Sequence, residues 1–213
     1  MARTAVLAGA TGLIGNQLLQ LLLTDTAYEK VIALSRKPIS TAHPKLENVL
    51  LNVDEWTKFT NLKADDVFCC LGTTIRQAKT KEAFRKVDFD YPVELAKALK
   101  QNGATCFLLV SALGADKNSR IFYNQVKGAV EEAIKNLNYP ATYIFRPSLL
   151  LGDRNEQRSG EEAAKVFYKI FGWLIPQKYM GIESIKVARA MLAEAKSNKP
   201  GLQVLESAVL QKY

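Results

Sequence analysis

The stretch Thr4-Ala5-Val6-Leu7-Ala8-Gly9-Ala10-Thr11-Gly12-Leu13-Ile14-Gly15, running on into the apolar Leu18-Leu19-Gln20-Leu21-Leu22-Leu23, decides the fold. Four small and branched apolar residues after Thr4 read as a strand. The leucine-rich run reads as a helix, and three glycines at G-x-x-G-x-x-G spacing join the two. The first glycine permits a tight turn, the second lets a pyrophosphate approach the backbone, and the third lets the helix pack closely on the strand. Free N–H groups at the helix start then face the phosphates. Gly9, Ala10, Thr11, Gly12, Leu13, Ile14 and Gly15 are therefore the candidate phosphate-binding residues of a dinucleotide site.

Working outward, the same rhythm repeats. Strands are expected at 4–8, 30–34, 47–52, 66–71, 104–110, 141–145 and 202–206, with helices at 13–24, 80–101, 121–137, 160–174 and 184–196. Runs such as Cys106-Phe107-Leu108-Leu109-Val110 are apolar on both faces, as in a parallel sheet covered on both sides. The alternation predicts an α/β fold, a doubly wound Rossmann-type parallel sheet with helices on both faces. One domain over 1–213 is expected, carrying a small substrate flap at about 148–185.

Composition narrows the class. The 213 residues are 48% hydrophobic and 23% charged, an ordinary globular make-up. No apolar run reaches the roughly 18 residues of a membrane helix, and the chain enters its first strand without a signal-like leader, so no membrane is expected as partner. Cys69, Cys70 and Cys106 cannot all pair and lie in apolar runs, which suits reduced thiols and a cytoplasmic location. The single histidine, His43, precedes Pro44 in a loop, so neither a metal site nor a histidine-based triad is expected. A net charge of +8 suits an anionic partner. No helix-turn-helix, zinc or stacking motif accompanies that charge, which argues against nucleic acid.

At the end of the second strand, about 20 residues past the glycine loop, an NAD site places an acid on the ribose 2′-hydroxyl. Here the chain reads Ser35-Arg36-Lys37, two cations and a hydroxyl suited to a 2′-phosphate, so NADP(H) is favoured over NAD(H). Tyr123 and Lys127 form the chain's only Tyr-x-x-x-Lys pair, one turn apart on a helical face. An ammonium there favours the phenolate, lowering a pKa of about 10 toward working pH, so that the phenol exchanges a proton with a substrate oxygen. Ser111 ends the fifth strand twelve residues earlier, at the carboxyl edge where open sheets bind ligands, and could hold that oxygen. Ser111, Tyr123 and Lys127 are the candidate catalytic residues.

Glycine loop, Ser111, Tyr123 and Lys127 together resemble a short-chain dehydrogenase/reductase. The chain is similar in particular to the atypical group of NADPH-binding, oxidoreductase-like proteins that includes the HIV Tat-interactive protein. Carrying that likeness are Cys70-Leu71-Gly72-Thr73-Thr74, Val87-Asp88-Phe89-Asp90-Tyr91, Gly114-Ala115-Asp116-Lys117, Tyr123-Asn124-Gln125-Val126-Lys127-Gly128, Phe145-Arg146-Pro147 and Leu150-Leu151-Gly152-Asp153-Arg154. The resemblance implies that Leu71, Gly72 and Thr73 pass beneath the cofactor ribose and that Asn52 and Val53 contact the adenine. It also implies that Lys127 holds the nicotinamide ribose and that Pro147 and Ser148 line the carboxamide. One departure stands out. Standard enzymes carry a catalytic Asn on the helix after the fourth strand, where this chain reads Val87-Asp88.

The expected activity is NADPH-dependent reduction of a small carbonyl compound, with Thr74-Ile75-Arg76, Leu113-Gly114 and the loop from Leu149 to Arg158 forming the substrate pocket. The alternative is an NADPH-binding redox sensor or protein-interaction module with little turnover. A nucleotide-sugar epimerase ranks third, since only 66 residues follow Pro147. A monomer or a homodimer suits either leading reading.

Overall fold

Strand β1 (Arg3–Ala8) is central to the sheet because both its faces are apolar, and Ala5, Val6, Leu7 and Ala8 are fully buried. The computed structural model describes residues 2–51, 61–151 and 180–213. Around β1 stand β2 (Tyr28–Ser35), β3 (Leu46–Leu50), β4 (Asp66–Cys69), β5 (Cys106–Val110) and β6 (Ala141–Arg146). A short pair, β7 (Leu150–Leu151) and β8 (Ile182–Glu183), forms its own parallel ladder, and β9 (Gly201–Glu206) closes the main sheet. The seven-stranded order is β3-β2-β1-β4-β5-β6-β9, with every pair parallel. The strand order reverses between β1 and β4, which opens a crevice at their carboxyl ends. The glycine loop leaves β1 at that crevice.

The helices are α1 (Leu13–Thr24), α2 (Ile75–Ala78), α3 (Lys81–Arg85), α4 (Tyr91–Gln101), α5 (Phe122–Asn136), α6 (Ser184–Ser197) and α7 (Ser207–Leu210). One sheet face is covered by α1 and α6, with Leu18, Leu19, Leu22, Val187 and Met191 in a single apolar cluster. The other is covered by α4 and α5, through Leu95, Leu99, Val130 and Ile134. Each such side chain, fully removed from water, contributes about 1.5–3 kcal/mol. The doubly wound parallel sheet read from the sequence is the observed fold.

Differences are local and have causes. The helix expected over 80–101 is interrupted: α3 passes into a π-helical turn, Lys86–Asp90, before α4 begins. Pro92 has no N–H to continue an α-helical ladder, and the Tyr91 N–H reaches back to the Lys86 carbonyl instead. The wider turn leaves Asp88 buried, at 1% exposure. Thr74 and Thr80 cap α2 and α3 by accepting the Gln77 and Ala83 N–H groups, both at 3.1 Å. The expected strand 66–71 ends at Cys69, so Cys70 to Thr74 become the loop that borders the crevice. Residues 104–105 stay outside β5 because the Thr105 and Cys106 N–H groups share the Asp65 carbonyl. The helix expected over 160–174, most of the flap, and Asn52 and Val53 lie outside the described residues.

Candidate dinucleotide and proton-transfer site

The glycine loop can be tested residue by residue. Gly9 has φ +85°, and a side chain there would meet the Cys70 carbonyl at 2.6 Å. At Gly15 a Cβ would lie 2.1 Å from the Gly9 carbonyl oxygen, so helix and loop touch backbone to backbone. Both glycines are therefore demanded by the fold itself. Gly12 differs. Its φ of −79° suits any residue, and an added Cβ would meet only the Gly9 carbonyl, at 3.3 Å. It is the N-cap of α1, with no side chain capping the helix and no acid in the first turn. Unpaired N–H groups and the positive end of the helix dipole are thus presented to an anion. A bare glycine at that end is what a close-lying pyrophosphate requires. Ala10 is buried and Ile14 packs into the core, while Thr11 is exposed.

At the end of β2, Arg36 and Lys37 are both exposed. Ser35 is buried, donates its hydroxyl to the Lys37 carbonyl at 2.7 Å and accepts the Asn48 amide at 2.8 Å. Its proton is spent on holding the turn. Only the two cations remain available to a 2′-phosphate.

The second half of the site is built on α5. Tyr123, Lys127 and Glu131 fall at i, i+4 and i+8 on one helical face. The half-buried Tyr123 ring leans on the fully buried Phe84, with centroids 5.7 Å apart. Gly128 lets the helix lie against the preceding loop, since a Cβ there would meet the Lys117 nitrogen at 2.1 Å. Lys127 is almost wholly buried, its Nζ 2.8 Å from Asp88 Oδ1. Burial by itself would lower the Lys127 pKa, but the Asp88 carboxylate beside it holds it above its ordinary value. The other Asp88 oxygen accepts the Thr73 N–H at 2.8 Å. Gly72 lies above this ion pair, its notional Cβ 3.5 Å from Asp88 Oδ1 and 3.8 Å from Lys127 Nζ. The structure thus brings together Tyr123, Lys127, Gly72 and Thr73. It adds Asp88, which the sequence marked only as a departure from the family pattern.

Ser111 is placed differently from its expected role. It is 4% exposed and donates its hydroxyl to Glu131, which the Arg146 guanidinium also engages, with Nε 3.0 Å from Oε1. A hydroxyl that gives its only proton to a carboxylate can accept a hydrogen bond from a substrate but cannot donate one. Sequence reading missed this trio, although Lys127 and Glu131 share one helical face and Arg146 stands in a quoted motif. Leu71 is half-buried and Pro147 buried beside the strand ends. Ser148 donates to the Met180 carbonyl and accepts from Ser207 at 2.9 Å, so its hydroxyl joins the chain just after β6 to Met180 and to the start of α7. Of the expected substrate pocket, Ile75, Arg76 and Gly114 are exposed and Thr74 and Leu113 half-buried, while residues 152–158 lie outside the described set.

The thiols are held in their protonated form. Burial pushes Cys69 up to about 12 and raises Cys70 and Cys106 as well. Among the described residues, no group of three or more His, Cys, Asp or Glu side chains could hold a metal ion.

Residues 9–197 match the NAD(P)H-binding family. Protein HTATIP2 of Rattus norvegicus is 35% identical over 96% of this chain and 86% of its own length. Protein FMP52-1, mitochondrial, of Scheffersomyces stipitis is 38% identical over 73% of this chain and 70% of its own. Among solved structures, the Bordetella bronchiseptica enzyme WbmH in complex with NAD+ superposes with a TM-score of 0.76. It covers 97% of this chain and 76% of that one at 15% identity, a likeness of fold. The cytoplasmic expectation is overturned, because FMP52 relatives, including those of Candida glabrata and Debaryomyces hansenii, are named as mitochondrial. Reduced thiols separate oxidising from reducing compartments but do not choose among the reducing ones.

Proposed function

Because the chain belongs to the NAD(P)H-binding family, we propose that it is a reductase of small carbonyl compounds that uses NADPH in preference to NADH. The observation that carries this reading is the buried Lys127 ammonium, one helical turn from Tyr123 and close under Gly72, in the loop whose Cys70 abuts Gly9. Gly9 to Gly15 and the start of α1 would hold the pyrophosphate, Arg36 and Lys37 the 2′-phosphate, and Lys127 the nicotinamide ribose. When bound, the reduced nicotinamide supplies a hydride to the carbonyl carbon. Tyr123 gives its phenolic proton to the carbonyl oxygen as that hydride arrives, and the ammonium of Lys127 stabilises the phenolate left behind. Ser111, with its proton committed to Glu131, serves as an acceptor toward the product alcohol. The single domain over 1–213 with a substrate flap at about 148–185 belongs to the same proposal.

The test begins with the nucleotide that copurifies with the protein, identified by mass. It continues with NADPH oxidation across a panel of aldehydes, ketones and quinones. Turnover of any member supports the reductase, and tight NADPH binding with none turned over opposes it.

A second reading, an NADPH-binding sensor or protein-docking module with little turnover, is favoured by the same Ser111–Glu131 bond. It removes the one hydroxyl expected to hold a carbonyl oxygen.

A further inference from the structure

We propose that Asp88 is a positioning residue for the cofactor, keeping Lys127 charged and joining the loop after β4 to α5 as one rigid unit. The proposal rests on the reading that Lys127 faces the cofactor ribose. Asp88 sits in the π-helical turn with its side chain fully buried, and its two oxygens have different partners. Oδ2 accepts the Thr73 N–H at 2.8 Å, fixing the loop that borders the crevice. Oδ1 lies 2.8 Å from Lys127 Nζ, fixing α5. Gly72, exposed on its outer side, roofs the pair closely enough that both charged atoms lie within 4 Å of a notional Cβ.

Among the described residues, the titratable groups that act on Lys127 are Asp88 from the π-helical turn, Tyr123 from its own helix and Cys69 from β4. Cys69 is a neutral thiol at working pH, because burial pushes it up to about 12. Asp88 is therefore the buried counter-charge. An Asn in its place could still accept the Thr73 N–H but would carry no charge, and a buried lysine without an anion loses its proton more easily. The carboxylate thus gives this chain an ammonium whose hold on the ribose does not vary over the working pH range.

The experiment measures NADPH affinity by fluorescence titration from about pH 7 to about pH 9.5 for wild type, Asp88→Asn, Asp88→Glu and Lys127→Met. Relative to wild type, Asp88→Asn should lose about tenfold more affinity at the alkaline end than at the neutral end, the equivalent of one pKa unit. Asp88→Glu should restore a profile parallel to wild type. Parallel curves for Asp88→Asn and wild type would overturn the proposal, since a merely structural carboxylate weakens binding equally at every pH. Should circular dichroism show Asp88→Asn to be unfolded, the wild-type curve decides, and a Lys127-dependent loss of affinity centred below about pH 9 would refute a permanently charged Lys127. Lys127→Met reports separately on the underlying reading. Affinity equal to wild type at neutral pH would remove Lys127 from the cofactor site altogether.

Discussion

A Cβ on Gly15 would lie 2.1 Å from the carbonyl oxygen of Gly9, whereas one on Gly12 would lie 3.3 Å from the same atom. Two glycines of one motif thus stand under different constraints: the fold demands Gly15 and leaves Gly12 free to vary. Gly15→Ala drives side chain into backbone and should destabilise the protein by several kcal/mol, about as much as a bad core overpacking. Gly12→Ala needs a shift of only tenths of an ångström and should leave the melting temperature within about 3 °C of wild type. Its NADPH affinity should nevertheless fall, and Gly12→Val should abolish binding while the far-ultraviolet circular dichroism stays native. Normal NADPH binding by a folded Gly12→Val would mean that the phosphates do not lie there.

Arg36 offers a cleaner measure of nucleotide choice than Ser35, whose hydroxyl is already donated to the Lys37 carbonyl. Losing a charge-assisted contact costs about 1.5–3 kcal/mol, or roughly ten- to a hundredfold in affinity. Arg36→Ala should weaken NADPH by that factor and leave NADH nearly unchanged, while Ser35→Ala should cost stability rather than selectivity. Equal wild-type affinities for the two nucleotides in parallel titrations would refute the proposed NADPH preference.

How much of this was legible in the sequence depends on how far each signal reaches along the chain. The β1–loop–α1 unit was readable because its three glycines and its apolar runs are contiguous, and local geometry alone dictates them. The Tyr123–Lys127 pair was readable because helical periodicity brings the two together. Asp88 was not, since its place beneath Gly72 depends on a π-helical turn that Pro92 allows and on the packing of Phe84 against Tyr123. The Ser111–Glu131–Arg146 trio joins the end of β5, the middle of α5 and the end of β6. Nothing local in the sequence announces a contact made by three separate elements.

Tyr123 separates the reductase from the sensor. Phenylalanine keeps the ring on Phe84 and removes only the hydroxyl, which in the proposed reductase supplies the proton that accompanies hydride arrival. Turnover of Tyr123→Phe should drop about 10²–10⁴-fold, while NADPH affinity should change by no more than the worth of one hydrogen bond, about 0.5–1.5 kcal/mol. Steady-state rates on any carbonyl compound that the panel reveals, paired with cofactor titrations, check both halves. An undiminished rate would place the proton donor elsewhere.

At the far end of the sheet from the crevice, Asp66 gives the fold its own pH dependence. Its carboxyl is fully buried, accepts the Tyr28 hydroxyl at 2.6 Å and pairs with Arg3. Burial outweighs both partners and raises its pKa to about 6. Since the unfolded value is near 3.9, the folded state holds this proton more tightly than the unfolded chain. Its contribution is therefore complete below about pH 4 and is lost as pH rises through about 6, a change of about 2–3 kcal/mol. Asp66→Asn keeps an acceptor for Tyr28 but has no proton to lose. Urea unfolding at about pH 4.5 and about pH 7.5 should show wild type losing stability relative to Asp66→Asn by that amount, since pH effects from all other groups are common to both proteins. A stability difference between the two that does not vary with pH would show that Asp66 stays ionised throughout, with the Arg3 ion pair outweighing burial.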